Sequence, residues 1–532
     1  MNKREENSFC VSGGKKVEFL CSKKYIILPA SFHGVKKRLC FYSGEKMVLD
    51  LVVTLDNDQP DYHFPVDMER FCGQTLRVTC QPEMDIRFEQ SDEAVLDYSG
   101  KYRPLAHFTA RRGWMNDPNG LLYYKGKYRM YFQHNPAATT WENMHWGAAE
   151  SEDLVHWQEL GDVLFPDEMG TMFSGSGFVD EGNLAGLKDG EETPLLFFYT
   201  CAGNTSETSA GQPFTQCLAY SLDGGNTLKK YAGNPLIPQF VDGNRDPKVI
   251  RCPGGGYVMA LYLEEHDFML LKSDDLLHWQ EMQRLQLPDD AECPDFYPLP
   301  TEDGEKWVFS AASDRYLIGR FDGNQFVPEM EQLRLNWGNG FYAAQSFYDL
   351  PDGRRIRTAF VNTVIPGMPF GCCMNIPQEM HLEKVNGLLR LCAWPVREVE
   401  KLYLNTQQFG ACSVEEGMPF VHPVHSKACD VTLKMAAGSS FRVNLYGMEI
   451  AYDHEQGVLR CGEKEAPVQC TDGAVELRLI FDTVYTEIYA DKGSVFMGMT
   501  YIQDSNLNRL SILAKKAEML ALTVSELGAF YK

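Results

Sequence analysis

The chain of 532 residues is predicted to be all-β: a five-bladed β-propeller followed by a β-sandwich, with a small β-domain ahead of both. Three observations predict this. Helix signals are sparse, and short β-rich runs recur between Gly, Asp, Asn and Pro. Ser151-Glu152-Asp153-Leu154-Val155-His156-Trp157 is echoed by Ser273-Asp274-Asp275-Leu276-Leu277-His278-Trp279, and more weakly by Ser221-Leu222-Asp223-Gly224-Gly225 and Phe321-Asp322-Gly323. These marks start 70, 52 and 48 residues apart, and each interval suits one four-stranded blade.

Taken in order, residues 1–100 hold strand-like runs at 25–28, 48–55 and 75–79, which suit a small β-domain. Residues 101–402 have room for five blades, with β-rich runs at 128–132, 195–200, 257–263, 307–311 and 356–361. Because His156 and His278 recur with their neighbouring Trp residues, they read as turn-and-packing groups rather than reactive ones. After about residue 405 the blade marks stop. Residues 403–532 then alternate in runs at 441–445, 477–481 and 486–489 with Gly-containing turns, which reads as a sandwich.

Lys and Arg total 50 against 73 Asp and Glu, a formal charge of −23. So acidic a chain lacks the electrostatic footprint of a nucleic-acid or anionic-membrane binder. No apolar run is long enough to span a bilayer. Met1-Asn2-Lys3-Arg4-Glu5-Glu6-Asn7-Ser8 has no apolar stretch behind its charges, so no secretory signal is expected and the cytoplasm is the expected compartment. The 16 cysteines show no C-x-x-C pair and read as reduced, buried thiols, the adjacent Cys372 and Cys373 included. The acidic and His residues lack zinc-ligand spacing, so neither a metal nor another cofactor is expected. The sequence carries no mark of oligomeric state.

The densest candidate for chemistry is Gly113-Trp114-Met115-Asn116-Asp117-Pro118-Asn119-Gly120. Alone it reads equally as a turn. It also reads as a carboxylate held by amides at a strand end, with Trp114 as a wall. Arg245-Asp246-Pro247 and Glu292-Cys293-Pro294-Asp295 would each pass for a surface turn. Three carboxylates on Pro-punctuated segments of a propeller can instead converge on its axis. Converging carboxyls among aromatic and amide side chains suit glycoside hydrolysis, which needs a nucleophile and a protonated acid. Gln133, Asn135, Trp141, Asn143, His145, Trp146, Phe173 and Ser174 are candidates for sugar contact. Phe173-Ser174-Gly175-Ser176 reads either as a donor to hydroxyls or as a plain tight turn.

Together these stretches resemble glycoside hydrolase family 32, the β-fructosidases. The resemblance rests on Trp114-Met115-Asn116-Asp117-Pro118-Asn119-Gly120, Asn143-Met144-His145-Trp146-Gly147, Phe173-Ser174-Gly175-Ser176, Arg245-Asp246-Pro247-Lys248 and Glu292-Cys293-Pro294-Asp295. It covers about residues 103–532 and implies a propeller followed by a sandwich. It also implies Asp117 as nucleophile, Glu292 as general acid and then base, and Asp246 as transition-state stabiliser. Arg245 would hold the charge states, and Trp114, Asn116, Gln133, Trp141, Phe173 and Ser174 would bind the fructosyl unit. Retention follows, with the Asp117 and Glu292 carboxyls about 5–5.5 Å apart and their pKa values driven in opposite directions.

The implied substrate is a carbohydrate, and the implied reaction releases terminal β-fructose from sucrose, fructo-oligosaccharides or short fructans. Met368-Pro369-Phe370 and Met374-Asn375-Ile376-Pro377-Gln378-Glu379-Met380, which resemble exo-acting levanases and inulinases, favour oligosaccharides. A sucrose-6-phosphate hydrolase or a fructosyltransferase on the same scaffold is the alternative. Residues 54–63 resemble a small β-domain that precedes the catalytic module in some bacterial relatives, where a packing role is expected. Ala148, Asn336-Trp337-Gly338 and Cys372-Cys373 depart from the family pattern and are expected to bear on the outer subsites.

Overall fold

The computed structural model describes residues 8–11, 17–94, 96–348, 350–470 and 473–531. The N-terminal segment forms one seven-stranded sheet built around the long strand Tyr25–Ser43, which pairs with Lys46–Leu55, Tyr62–Asp67, Thr75–Gln81 and Ile86–Ser91. Its apolar face buries Leu28, Phe41, Leu51 and Val78. Ala30 and Val35 both pair with Leu55, so residues 31–34 bulge out of the sheet. Gly34 sits in that bulge because a Cβ there would meet Leu55 O at 2.5 Å.

Five sheets follow in succession. Sheet I comprises Gly113–Tyr124, Lys127–Asn135, His145–Ser151 and Trp157–Leu164, with the short Phe370–Gly371 added in parallel beside the first. Sheet II comprises Thr171–Val179, Leu195–Ala202, Phe214–Ser221 and Lys229–Lys230, and sheet III Arg245–Arg251, Tyr257–Tyr262, Asp267–Ser273 and Gln280–Gln286. Sheet IV opens on Asp295–Thr301, Gly304–Ser310, Arg315–Phe321 and Phe326–Pro328, and sheet V on Phe341–Ser346, Arg355–Val361, Gln378–Val385 and Leu388–Pro395. Neighbouring first strands touch in order, and that of sheet V returns to that of sheet I, so the ring closes. The five β-rich runs read from the sequence are the second strands of these sheets. They stand out because they are apolar on both faces: every residue of Leu195–Ala202 is buried.

The repeated marks are turns between third and fourth strands. Asp153 Oδ1 accepts from Val155 N and His156 N at 3.2 and 2.8 Å, and Asp275 Oδ1 from Leu277 N and His278 N at 3.0 and 2.8 Å. Trp157 and Trp279 each donate to the carbonyl of the Leu three residues before, and Leu154 and Leu276 share a φ near 69°. Asp223 and Asp322 cap the same turn in sheets II and IV. Sheet V uses Asn386-Gly387 with both φ values positive, which is why its mark is invisible to the repeat.

From Tyr403 to Leu527 the chain forms a seven-stranded and a six-stranded sheet. They face each other across a shared core that includes Leu433, Val443, Leu479 and Ile512. Asp482 and Glu487 join this part to the ring. Asp482 accepts from the backbone of Leu105 and Ala106, and His107 lies between Asp482 at 2.9 Å and Glu487 at 3.3 Å, all three fully buried. Among the described residues, no helix is long and apolar enough to cross a membrane.

Candidate active site

The first strands of sheets I, II, III and V slip register at one end of the ring. The slips lie between Met115 and Pro118, Met172 and Gly175, Arg245 and Lys248, and Tyr342 and Gln345. Each slip is a bulge, which bends the strand and re-aims a side chain. Asn116-Asp117, Phe173-Ser174 and Asp246 sit inside them. The turn-like composition of 113–120 and 173–176 therefore serves bulged strand and not turns, because the same short polar residues and Gly suit both. Sheet IV opens after Glu292 and Cys293, whose φ values are 59° and 41°; Asp246 has 65°. Such left-handed backbone is strained for these residues and is held by its surroundings. Asp246 N–H donates to Thr200 Oγ1 at 2.9 Å, and Cys293 N–H to Asp246 Oδ2 at 3.0 Å.

Asp117 and Asp246 are buried and form the floor of a small pocket lined also by Ser174, Cys293 and Gln345. Asp117 accepts from Asn116 Nδ2 at 3.1 Å, from Gln133 Nε2 at 3.0 Å and from the Ser174 hydroxyl. Trp114 Nε1 in turn donates to Asn116 Oδ1 at 2.9 Å and orients that amide. Gln133 Oε1 is buried without a hydrogen-bond partner, an acceptor left for a hydroxyl. Glu292 stands at the opening with its side chain 32% exposed. Arg245 Nη2 donates to its Oε1 at 2.5 Å and Tyr342 Oη to its Oε2 at 2.6 Å. Arg245 is itself stacked on Tyr262, 4.6 Å from the ring centre. Trp141, 47% exposed, meets Phe173 edge-on at 5.8 Å. Beneath the cleft, Lys248 Nζ lies 3.2 Å from Asp295 Oδ1, and Ser346 N–H donates to Asp295 Oδ2 at 2.6 Å. The last residues of the Arg-Asp-Pro-Lys and Glu-Cys-Pro-Asp motifs thus tie three first strands together.

Burial raises the Asp117 carboxyl; the bonds from Ser174, Asn116 and Cys293 oppose it and the Glu292 charge adds to it. Burial likewise pushes Asp246 up to about 7, with Arg245 opposing and the charges of Asp117 and Glu292 adding. The two floor carboxyls are therefore raised together, and their protonation belongs to the pair. Cys293 Sγ lies 3.5 Å from Asp117 Oδ2 and 3.4 Å from Asp246 Oδ2. Among the described residues these three bring potential metal-ligand atoms within 4.8 Å of one another. Burial and the two carboxylates raise the thiol well above its usual range, so it serves as an S–H donor to the two carboxyls.

The structure brings together ten of the sequence-predicted site residues: Asp117, Asp246, Glu292, Trp114, Asn116, Gln133, Phe173, Ser174 and Arg245, with Trp141 joined through Phe173. Four further candidates for sugar contact do other work. Trp146 is fully buried and donates to Phe173 O, and buried His145, lowered to about 4 by burial, bonds Asn143 O. Asn135 and Asn143 bond each other, and Asn143 also bonds the N-terminal sheet. Nor do the three departures reach the cleft. Ala148 packs in the core of sheets I and II. Asn336 Oδ1 accepts from Gly338 N and Gly498 N at the junction with the sandwich, and Cys372 and Cys373 are fully buried. Sequence reasoning missed Tyr342, Thr200 and Gln345, whose Nε2 donates to Pro294 O at 3.0 Å. Each comes from another sheet and carries no local signal.

Two buried carboxyls beside a third, half-exposed one, in an all-β ring, suit a glycoside hydrolase. Comparison with known proteins gives the family. Residues 107–395 match the model described as glycosyl hydrolases family 32 N-terminal domain. The chain is 30% identical over 476 residues to a levanase of Bacillus subtilis, covering 78% of this chain and 69% of the levanase. It is 32% identical over 352 residues to an extracellular exo-inulinase of Aspergillus niger, covering 56% of this chain and 65% of that one. The crystal structure of an exo-inulinase from Aspergillus awamori superposes with a TM-score of 0.74 at 24% identity, over 82% of this chain and 100% of the other. A β-fructofuranosidase of Schwanniomyces occidentalis, solved with fructosyl-erythritol, does so at 0.74 and 25%, over 82% and 99%. The chain belongs to glycosyl hydrolase family 32.

Proposed function

We propose that this protein is a retaining exo-β-fructosidase acting on sucrose, fructo-oligosaccharides or short fructans. The observation that carries the reading is the division of the three carboxyls, with Asp117 and Asp246 buried at the floor and Glu292 half-exposed at the mouth. A floor carboxylate held by Asn116, Gln133 and Ser174 is aimed to attack C2 of a fructosyl unit. A carboxyl at the mouth meets the glycosidic oxygen, protonates the leaving group and then activates the water that releases fructose. Asp246 takes hydroxyl hydrogen bonds that strengthen as charge develops, and Arg245 keeps Glu292 in place. Trp114, Trp141 and Phe173 wall the sugar, and Gln133 Oε1 accepts from it. On this reading the five sheets are the blades of a propeller spanning 101–402, the sandwich spans 403–532 and the N-terminal β-domain 1–100.

Arg245 is engaged by Glu292 and by Gly243 O, which supports neutral fructosides over sucrose-6-phosphate. Fructosyl transfer would use the same covalent intermediate with a sugar in place of water. The test is hexose release from sucrose, sucrose-6-phosphate and inulin-type and levan-type oligosaccharides, with NMR of the first anomer formed. Fructose released with its β configuration retained is expected, faster from oligosaccharides than from sucrose. Asp117→Ala is expected to lose activity by several orders of magnitude while staying folded. Wild-type rates from that variant would sink the proposal.

A further inference from the structure

The N-terminal sheet packs against the end of the ring that carries the candidate site. The starts of the first strands, which carry Asp117 and Ser174, pair with the ends of the second strands: Trp114 with Asn135, and Thr171 with Ala202. The connections leaving those ends, residues 136–144 and 203–213, therefore lie at the mouth. The N-terminal sheet binds both. Asp50 accepts from Glu207 N at 3.2 Å and from Thr208 N and Oγ1 at 3.1 and 2.7 Å.

The first connection is embedded in it. Ala137 is buried within the apolar core of the N-terminal sheet, and Ala138 packs with Ala30 and Phe64. Asn143 Nδ2 donates to Val52 O and Asn143 Oδ1 accepts from Val52 N, both at 2.8 Å, as a neighbouring strand would. Lys36 pairs with Glu142, and the Tyr62 ring packs against Ala30, Phe64 and Ala138. Between these anchors stands Trp141, set edge-on to Phe173, whose neighbour Ser174 bonds Asp117.

We infer that the N-terminal sheet is part of the substrate-binding apparatus: it holds Trp141 in position as a wall of the cleft and so sets the affinity for β-fructosides. An aromatic wall contributes to sugar binding only if its ring is already in place, since ordering it on binding would cost rotamer and loop entropy. Lys36, Tyr62 and Asn143 are positioning residues that act through Trp141. The inference rests on the fructosidase reading.

The experiment uses the full chain in a double-mutant cycle. Asn143→Gly removes both bonds to Val52 and keeps a backbone suited to φ of 51°. Lys36→Ala with Tyr62→Ala removes the ion pair to Glu142 and the packing on Ala138, and so loosens the same loop from the other side, should the first variant melt early. Either change is expected to raise KM for a fructo-oligosaccharide about tenfold with kcat within about twofold. In a Trp141→Ala background the same changes are expected to leave KM where Trp141→Ala put it. Acrylamide quenching of Trp141, read against Trp141→Phe, is expected to rise in both loosened variants and does not depend on turnover. Unchanged KM and unchanged quenching in folded variants would overturn the inference, as would additive effects in the Trp141→Ala background. A wild type silent on every β-fructoside would count against the fructosidase reading, and the quenching would still decide whether the sheet holds Trp141.

Discussion

Tyr342 donates its phenol proton to Glu292 Oε2 at 2.6 Å, from the sheet next to the one the glutamate introduces. With Arg245 on the other oxygen, the carboxyl at the mouth is fixed from two sides. On the proposed reading Glu292 gives and then takes a proton, and such a group needs fixing because small misplacements cost large factors in rate. Tyr342→Phe is expected to lower kcat about ten- to a hundredfold and to change KM less. Steady-state kinetics on a fructo-oligosaccharide checks this, and an unaltered kcat would remove Tyr342 from the site's working parts.

Ser174 gives the Asp117 carboxylate a hydrogen bond that opposes the effect of burial. Removing that bond leaves burial less opposed, so the floor pair holds its proton to higher pH. For Ser174→Ala the acidic limb of kcat/KM is expected to move up in pH, with a lower plateau. A profile that keeps its limb in place would show that Ser174 does not stabilise the ionised carboxylate.

His107 links ring and sandwich. Burial disfavours its imidazolium, but Asp482 and Glu487 outweigh burial and raise it from 6.5 to about 9. The folded state holds this proton more tightly than the unfolded chain. The stabilisation is complete below about 6.5 and is lost as pH rises through about 9. Thermal melts of wild type and His107→Gln should therefore differ most at pH 6 and converge toward pH 10. Equal separation across that range would rule out His107 as the titrating group.

Lys248 is buried beside Asp295, and each also bonds Ser346. Lys248→Met would leave a buried carboxylate without its cation, a loss of about 3–5 kcal/mol. Denaturant unfolding measures it. A loss below about 1 kcal/mol would show that the pair carries little of the stability.

Much of this molecule is legible in its residues. The second strands of the ring show because they are apolar on both faces, and the turns of sheets I and III because an Asp, a His and a Trp must sit at fixed offsets to make them. Sheet V was legible only in part, since Asn386-Gly387 closes its hairpin without that pattern. Asp117, Asp246 and Glu292 were legible because each lies in a short segment whose own backbone is unusual: two bulges and a left-handed entry to sheet IV. Where the same residue types serve packing, local chemistry does not tell the two uses apart. Asn143 and Trp146 have the chemistry of sugar-binding side chains, but one grips Val52 and the other is sealed beneath Phe173.

The sequence by itself determined the candidate carboxyls, their order and the all-β alternation, because bulges, turns and strand faces are specified by neighbours within a few positions. The tertiary structure alone decided which groups meet. Closing the ring brought Tyr342 to Glu292 and Thr200 to Asp246, and folding the first hundred residues back laid Val52 against Asn143. Those contacts span from 46 to 91 positions along the chain. No local pattern can encode them, because they depend on where whole sheets come to rest.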